Sequence, residues 1–184
     1  MQSLTKELQN RLKGAKRVAV LGVGSDLRGD DAAGMLVAQR MGKYESRITN
    51  HERRKGLLRV FYGSTAPENL TGEIRRFKPT HLIIVDTADI KQKPGTVLLL
   101  KGEDVSAGIS FSTHKLPPRV MVDYFGKTLK CRIILIGIQP KTLEFGRAVS
   151  KEVKGSAKDV SDAIISVVNS PGLSKSKAAC TGRG

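Results

Sequence analysis

Asp26, Asp30 and Asp31 fall inside one glycine-rich stretch, GVGSDLRGDDAAG, running from Gly22 to Gly34. A loop built to cradle phosphate offers backbone donors and excludes acids, so these carboxylates point the other way: they repel a phosphate and suit a cation. The dinucleotide fingerprint GxGxxG also fails here, because Leu27 stands where its third glycine belongs, and no GxxxxGK[ST] loop occurs. Two further groups have useful chemistry. Asp86 ends the apolar run HLIIVD, and His114 lies in FSTHKLP. Two carboxylates and an imidazole at one edge make an O,O,N set with open positions, suited to zinc, nickel or another divalent ion. The same acids also suit proton transfer to and from a water. Each residue has a plain structural alternative. Asp30 can cap a helix and Asp31 can serve as its first-turn acid, Asp86 can form a turn, and His114 can be a solvated loop histidine, with His51 and His81 in equally ordinary settings. The residues alone reach a divalent-metal site or an acid pair and stop there. HExxH and GxSxG are absent, and neither Cys131 nor Cys180 sits in a motif that marks a nucleophile.

These groups need a frame. Leu4, Leu8 and Leu12 share one side of an opening helix that Gly14 ends. RVAVLGVG (17–24) is a β-branched run of the kind buried on both faces of a parallel sheet. DAAGMLVAQRMGKY has helical spacing, LLRVFYG (57–63) reads as a strand, and PENLTGEIRRF as a helix with Pro67 near its start. HLIIVD (81–86) is the clearest strand. KQKPGTVLLL predicts a Pro94-Gly95 turn and a locally paired strand, LPPRVMVDYFGKTLK a helix after Pro117 and Pro118, CRIILIGI (131–138) a buried strand, and VKGSAKDVSDAIISVV (153–168) the last helix. Strands alternating with helices predict an α/β fold: a three-layer α/β/α sandwich around a mostly parallel, doubly wound sheet. In such sheets ligands sit beyond the carboxyl ends of the strands. The Gly22–Gly34 loop, Asp86 and Gln139 all fall at that edge.

A chain of 184 residues fits one domain, expected over 1–170, with a flexible, basic tail over 171–184. The two separated cysteines suit a reducing compartment. No apolar run approaches the ~20 residues of a membrane span, and MQSLTKELQNRLKGAKR lacks the apolar core of a secretion signal. The expectation is therefore a cytoplasmic protein with no membrane span. A net charge of +15 raises the possibility of a nucleic-acid partner. The basic residues are scattered, however, and aromatics make up only 4% of the chain, which leaves little for base stacking. No nucleic-acid partner is expected. The basic 40–59 segment remains a possible docking patch.

Four blocks, GVGSDLRGDDAAG, GSTAPENLTGEIRRFKPTHLIIVDTADIKQKPG, STHKLP and LIGIQP, occur in an order and spacing that resembles the [NiFe]-hydrogenase maturation endopeptidases. The closest branch is the one that processes the large subunit of hydrogenase 3 type enzymes. The resemblance runs from about Val18 to Pro140. It implies a protease that removes a C-terminal extension from the hydrogenase large-subunit precursor after nickel insertion. It further implies that Asp31, Asp86 and His114 engage nickel supplied by that precursor, that one carboxylate acts as general base, and that the protease keeps no permanent cofactor. Two positions depart from the family pattern: Ser25 stands where Asn is usual, and Ala32 where Gly is frequent. The alternative reading is a non-catalytic module of the same fold, whose acids and histidine merely hold a metal or a partner's tail.

Overall fold

The computed structural model describes residues 2–48, 56–100, 110–111, 118–170 and 173. Helix α1 covers Gln2–Arg11, and the leucine spacing that predicts it buries Leu8 and Leu12. Strand β1 (Val18–Val23) is buried along its whole length, as befits a central parallel strand without a solvated face. A 3-10 turn at Gly29–Ala32 leads into α2 (Ala33–Ile48), and β2 (Leu58–Ser64) follows. The expected PENLTGEIRRF helix is split. Pro67–Leu70 forms a 3-10 turn and only Thr71–Phe77 is α-helical, as α3; the Thr71 hydroxyl donates back to the Glu68 carbonyl across the junction. The remaining elements are β3 (His81–Asp89), β4 (Val97–Leu100), the short β5 (Ser110–Phe111), α4 (Pro118–Leu129), β6 (Arg132–Ile138) and α5 (Lys151–Asn169).

The sheet order is β2-β1-β3-β6-β4, with β5 pairing to β3. The first four strands are parallel, and β4 runs antiparallel along β6. The sheet is thus mostly parallel, as expected, but β4 does not pair locally. Both flanks of β3 are taken by β1 and β6 over most of its length, so the chain leaving the Pro94-Gly95 turn crosses to the outer side of β6. Backbone bonds Gly95 N to Gln139 O (2.8 Å) and Gln139 N to Thr96 O (2.9 Å) fix that crossing.

Strand alternation divides the core between the two faces. Val18, Val20, Ile83 and Val85 pack with α1, α2 and α5. Ala19, Leu21, Leu82 and Ile84 pack with Ile74 of α3 and Phe125 of α4. This is the three-layer α/β/α sandwich. Of the expected tail only Leu173 is described, and it is buried against the first of these clusters. Among the described residues no helix is long and apolar enough to cross a membrane.

Candidate active site

The strand order reverses between β1 and β3: the chain leaves β1 for β2 on one side and returns to β3 on the other. A crevice opens at the carboxyl ends of such a pair. The glycines of the first loop let α2 descend onto it. A Cβ built on Gly34 would collide with the carbonyl oxygens of Val23 and Val85, one from each strand. Gly24 adopts φ +135°, and a Cβ there would strike the Asp31 carbonyl. The glycine pattern that imitates a nucleotide loop therefore serves close backbone approach.

Asp31 and Asp86 lie on the two sides of this crevice. Asp31 lies in the first 3-10 turn at 2% exposure, and Asp86 sits on β3 with none. Their neighbours are bonded: the Thr87 hydroxyl donates to the Asp30 carbonyl at 2.9 Å, which ties the acid-bearing turn to the acid-bearing strand. Each carboxylate is aimed by a backbone donor. Ser25 N donates to Asp31 Oδ2 at 3.1 Å, and Thr87 N donates to Asp86 Oδ1 at 2.7 Å. Burying two carboxylates this close to one edge is unfavourable unless hydrogen bonds or a cation compensate. That is the physical basis for reading the edge as a site for a divalent ion or for acid–base chemistry. Among the described residues no three His, Cys, Asp or Glu side chains form a group able to hold a metal. His114, the third expected member, lies outside the described residues.

Ser25, one departure from the family pattern, meets Asp31 through its main chain, while its hydroxyl accepts from Leu27 N at 3.3 Å. That main-chain contact to the acid does not require an amide side chain. Ala32, the other departure, is buried at 3% exposure beside Asp31.

Asp30 has a different role from its neighbour. It makes no capping bond to its own turn. Its fully buried carboxylate instead accepts from Lys141 N (2.7 Å), Thr142 N (3.2 Å), Ser150 N (2.6 Å) and the Ser150 hydroxyl (3.0 Å). Ser150 is the N-cap of α5. Asp30 is thus an acid at a helix N-terminus, where the dipole favours it, but the helix lies 120 positions along the chain. Local sequence carries no signal for that pairing.

Gln139 reaches the same edge and is engaged there. Its side-chain oxygen accepts from Ile90 N (2.8 Å) and Gln92 N (3.3 Å), and its nitrogen donates to Asp89 Oδ1 (3.4 Å). It pins the turn after β3. Asp89 is held below the usual carboxylate range by hydrogen bonds from Lys91 and by Gln139. Burial pushes the Cys131 thiol up to about 11, which rules out a ready thiolate nucleophile at that residue. Cys180 lies outside the described residues.

Residues 44–167 match the family model described as hydrogenase maturation protease; that span includes Asp86 and His114 and begins after Asp31. A protein of Methanocaldococcus jannaschii bearing the hydrogenase maturation protease name is 34% identical over 91% of this chain and 98% of its own. The hydrogenase 3 maturation protease of Escherichia coli K12 is 30% identical over 77% of this chain and 84% of its own. The crystal structure of a [NiFe] hydrogenase maturation protease from Thermococcus kodakarensis superposes with a TM-score of 0.75 at 27% identity, covering 89% of this chain and 99% of that one.

Proposed function

This chain belongs to the hydrogenase maturation protease family, and we propose on that footing that it removes the C-terminal extension of a [NiFe]-hydrogenase large-subunit precursor once nickel is in place. The observation that best supports this reading is the pair of buried carboxylates, Asp31 and Asp86, on two elements joined by the Thr87–Asp30 hydrogen bond. Asp31, Asp86 and His114 engage nickel that the precursor itself carries. Three ligands with open positions can share a metal whose other ligands belong to the substrate. A precursor without nickel lacks that bridge and is left uncut. The protease itself keeps no resident metal, works in the cytoplasm and has no nucleic-acid partner.

Hydrolysis then needs one group to take a proton from water as it adds to the scissile carbonyl carbon. The same group returns the proton to the departing amine as the C–N bond breaks. One of the two carboxylates fills that role. Incubating nickel-loaded precursor with wild-type protein and with the Asp31→Asn variant tests the assignment. Cleavage by the wild type and its loss in the variant are expected. Binding of the precursor by the wild type without cleavage overturns the enzymatic reading in favour of a binding module.

A further inference from the structure

Leu27 and Phe145 are 62% and 77% exposed, the two most exposed large apolar side chains among the described residues. They come from separate loops, after β1 and after β6, that hydrogen bonds join into one body. Gly146 N donates to Leu27 O at 2.8 Å, Asp30 N to Thr142 O at 3.0 Å, and Arg28 Nε to Leu143 O at 3.3 Å. The Asp30 carboxylate holds the base of the second loop through Lys141, Thr142 and Ser150. Both apolar side chains therefore project from a fixed ledge, and the same ledge carries Asp31, whose N–H donates to the Arg28 carbonyl at 3.1 Å.

Two ion pairs flank Phe145. Arg147 meets Glu144 at 2.7 Å and Lys141 meets Glu152 at 2.8 Å. What the ledge offers a visitor is exposed apolar area beside a polar rim, the arrangement of a contact patch. A metal alone fixes one point of a substrate and leaves the chain free to swing about it, so productive orientation needs a second contact.

We propose that Leu27 and Phe145 form an apolar seat for a hydrophobic side chain of the precursor polypeptide next to the bond being cut, setting its register against Asp31 and Asp86. This rests on the functional reading above.

The test is steady-state cleavage of nickel-loaded large-subunit precursor, with binding of the same precursor measured in parallel. Leu27→Ala and Phe145→Ala should each lower kcat/KM about fivefold to twentyfold, with KM raised by the lost contact and kcat lowered by the lost register. Phe145→Leu should restore most of kcat/KM. Leu98→Ala, at a half-exposed position on β4, should leave kcat/KM unchanged. Normal cleavage by the wild type with unaltered kcat/KM in both alanine variants overturns the seat alone. So does a double variant that converts a dimer to a monomer without changing kcat/KM, because the ledge would then serve a second copy of this chain. If the wild type binds the precursor but does not cut it, weakened binding by the variants still supports the seat and unweakened binding overturns it. If the wild type neither binds nor cuts, the functional reading fails and takes the seat with it.

Discussion

The two ends of the parallel sheet treat polar groups in opposite ways. At the carboxyl end, Asp30, Asp31 and Asp86 are buried and aimed by backbone donors, from loops for the first two and from the next residue of β3 for the third. At the amino end, Arg17, Arg59 and Arg76 line a cleft of about 330 Å³ with Glu73, and none of the three arginines makes an ion pair among the described residues. The buried group of that end is His81, whose Nδ1 lies 3.0 Å from the Thr80 hydroxyl and whose Nε2 has no hydrogen-bond partner among the described residues. One end holds negative charge where water is excluded; the other leaves positive charge in solvent. The contrast teaches where chemistry is concentrated in this fold, because fixed, desolvated charges act on a reacting group far more strongly than hydrated ones.

The largest expected effect follows directly. Asp31→Asn and Asp86→Asn should each lower precursor cleavage by about 10²-fold or more, measured as single-turnover rates, whereas Arg76→Gln at the opposite end should leave the rate within about twofold. Equal losses at both ends would erase the distinction.

The next largest separates two neighbours at the carboxyl end. Asp30→Ala strands the donors of Lys141, Thr142 and Ser150 and should cost about 3 kcal/mol in urea unfolding. Asp31→Asn, by contrast, should act mainly on activity. If Asp30→Ala unfolds at the wild-type midpoint, the carboxylate is not the anchor of the α5 loop.

A smaller effect belongs to the amino end. Burial and the nearby Arg132 charge hold the His81 pKa below its ordinary value of 6.5. The unfolded chain therefore takes up the proton first, and stability is lost as pH falls below about 6.5, by at most ~1.4 kcal/mol per pH unit for one proton. His81→Gln should flatten the unfolding free energy between pH 5 and pH 7. A variant that keeps the wild-type slope would show that His81 is not its source.

The smallest effect belongs to a helix glycine that packs against nothing, with a crowded site glycine as its contrast. Gly155 in α5 faces open space, so Gly155→Ala should stabilise the protein by roughly 0.5–1 kcal/mol. Gly34→Ala, which drives a methyl into two strand carbonyls, should destabilise it, and thermal unfolding of the pair reads the difference.

Much of this frame was legible in the sequence because strands buried on both faces are written as unbroken apolar runs. HLIIVD and CRIILIGI mark β3 and β6, although β3 runs on to Asp89, so that Asp86 lies within the strand and not at its end. What could not be read depends on partners distant in the chain. Nothing in TVLLL says that β4 will lie against β6 rather than β3, since a strand's pattern encodes its faces and not its neighbour. Asp30 and Asp31 are adjacent and identical in kind, yet Ser150 and the turn before it decide that the first is an anchor. The amide of Gln139 is engaged by the turn after β3 for the same reason. Leu27 and Phe145 look like unremarkable loop residues until the hydrogen bonds between their loops place them together.

The most direct test of the central claim is intact-mass spectrometry of a hydrogenase large-subunit precursor, with and without inserted nickel, after incubation with this protein. The proposed function requires loss of a single C-terminal peptide from the nickel-loaded form and none from the nickel-free form. Equal cleavage of both forms would contradict the metal-reading role of Asp31, Asp86 and His114, and an intact nickel-loaded precursor of confirmed binding would contradict the protease assignment itself.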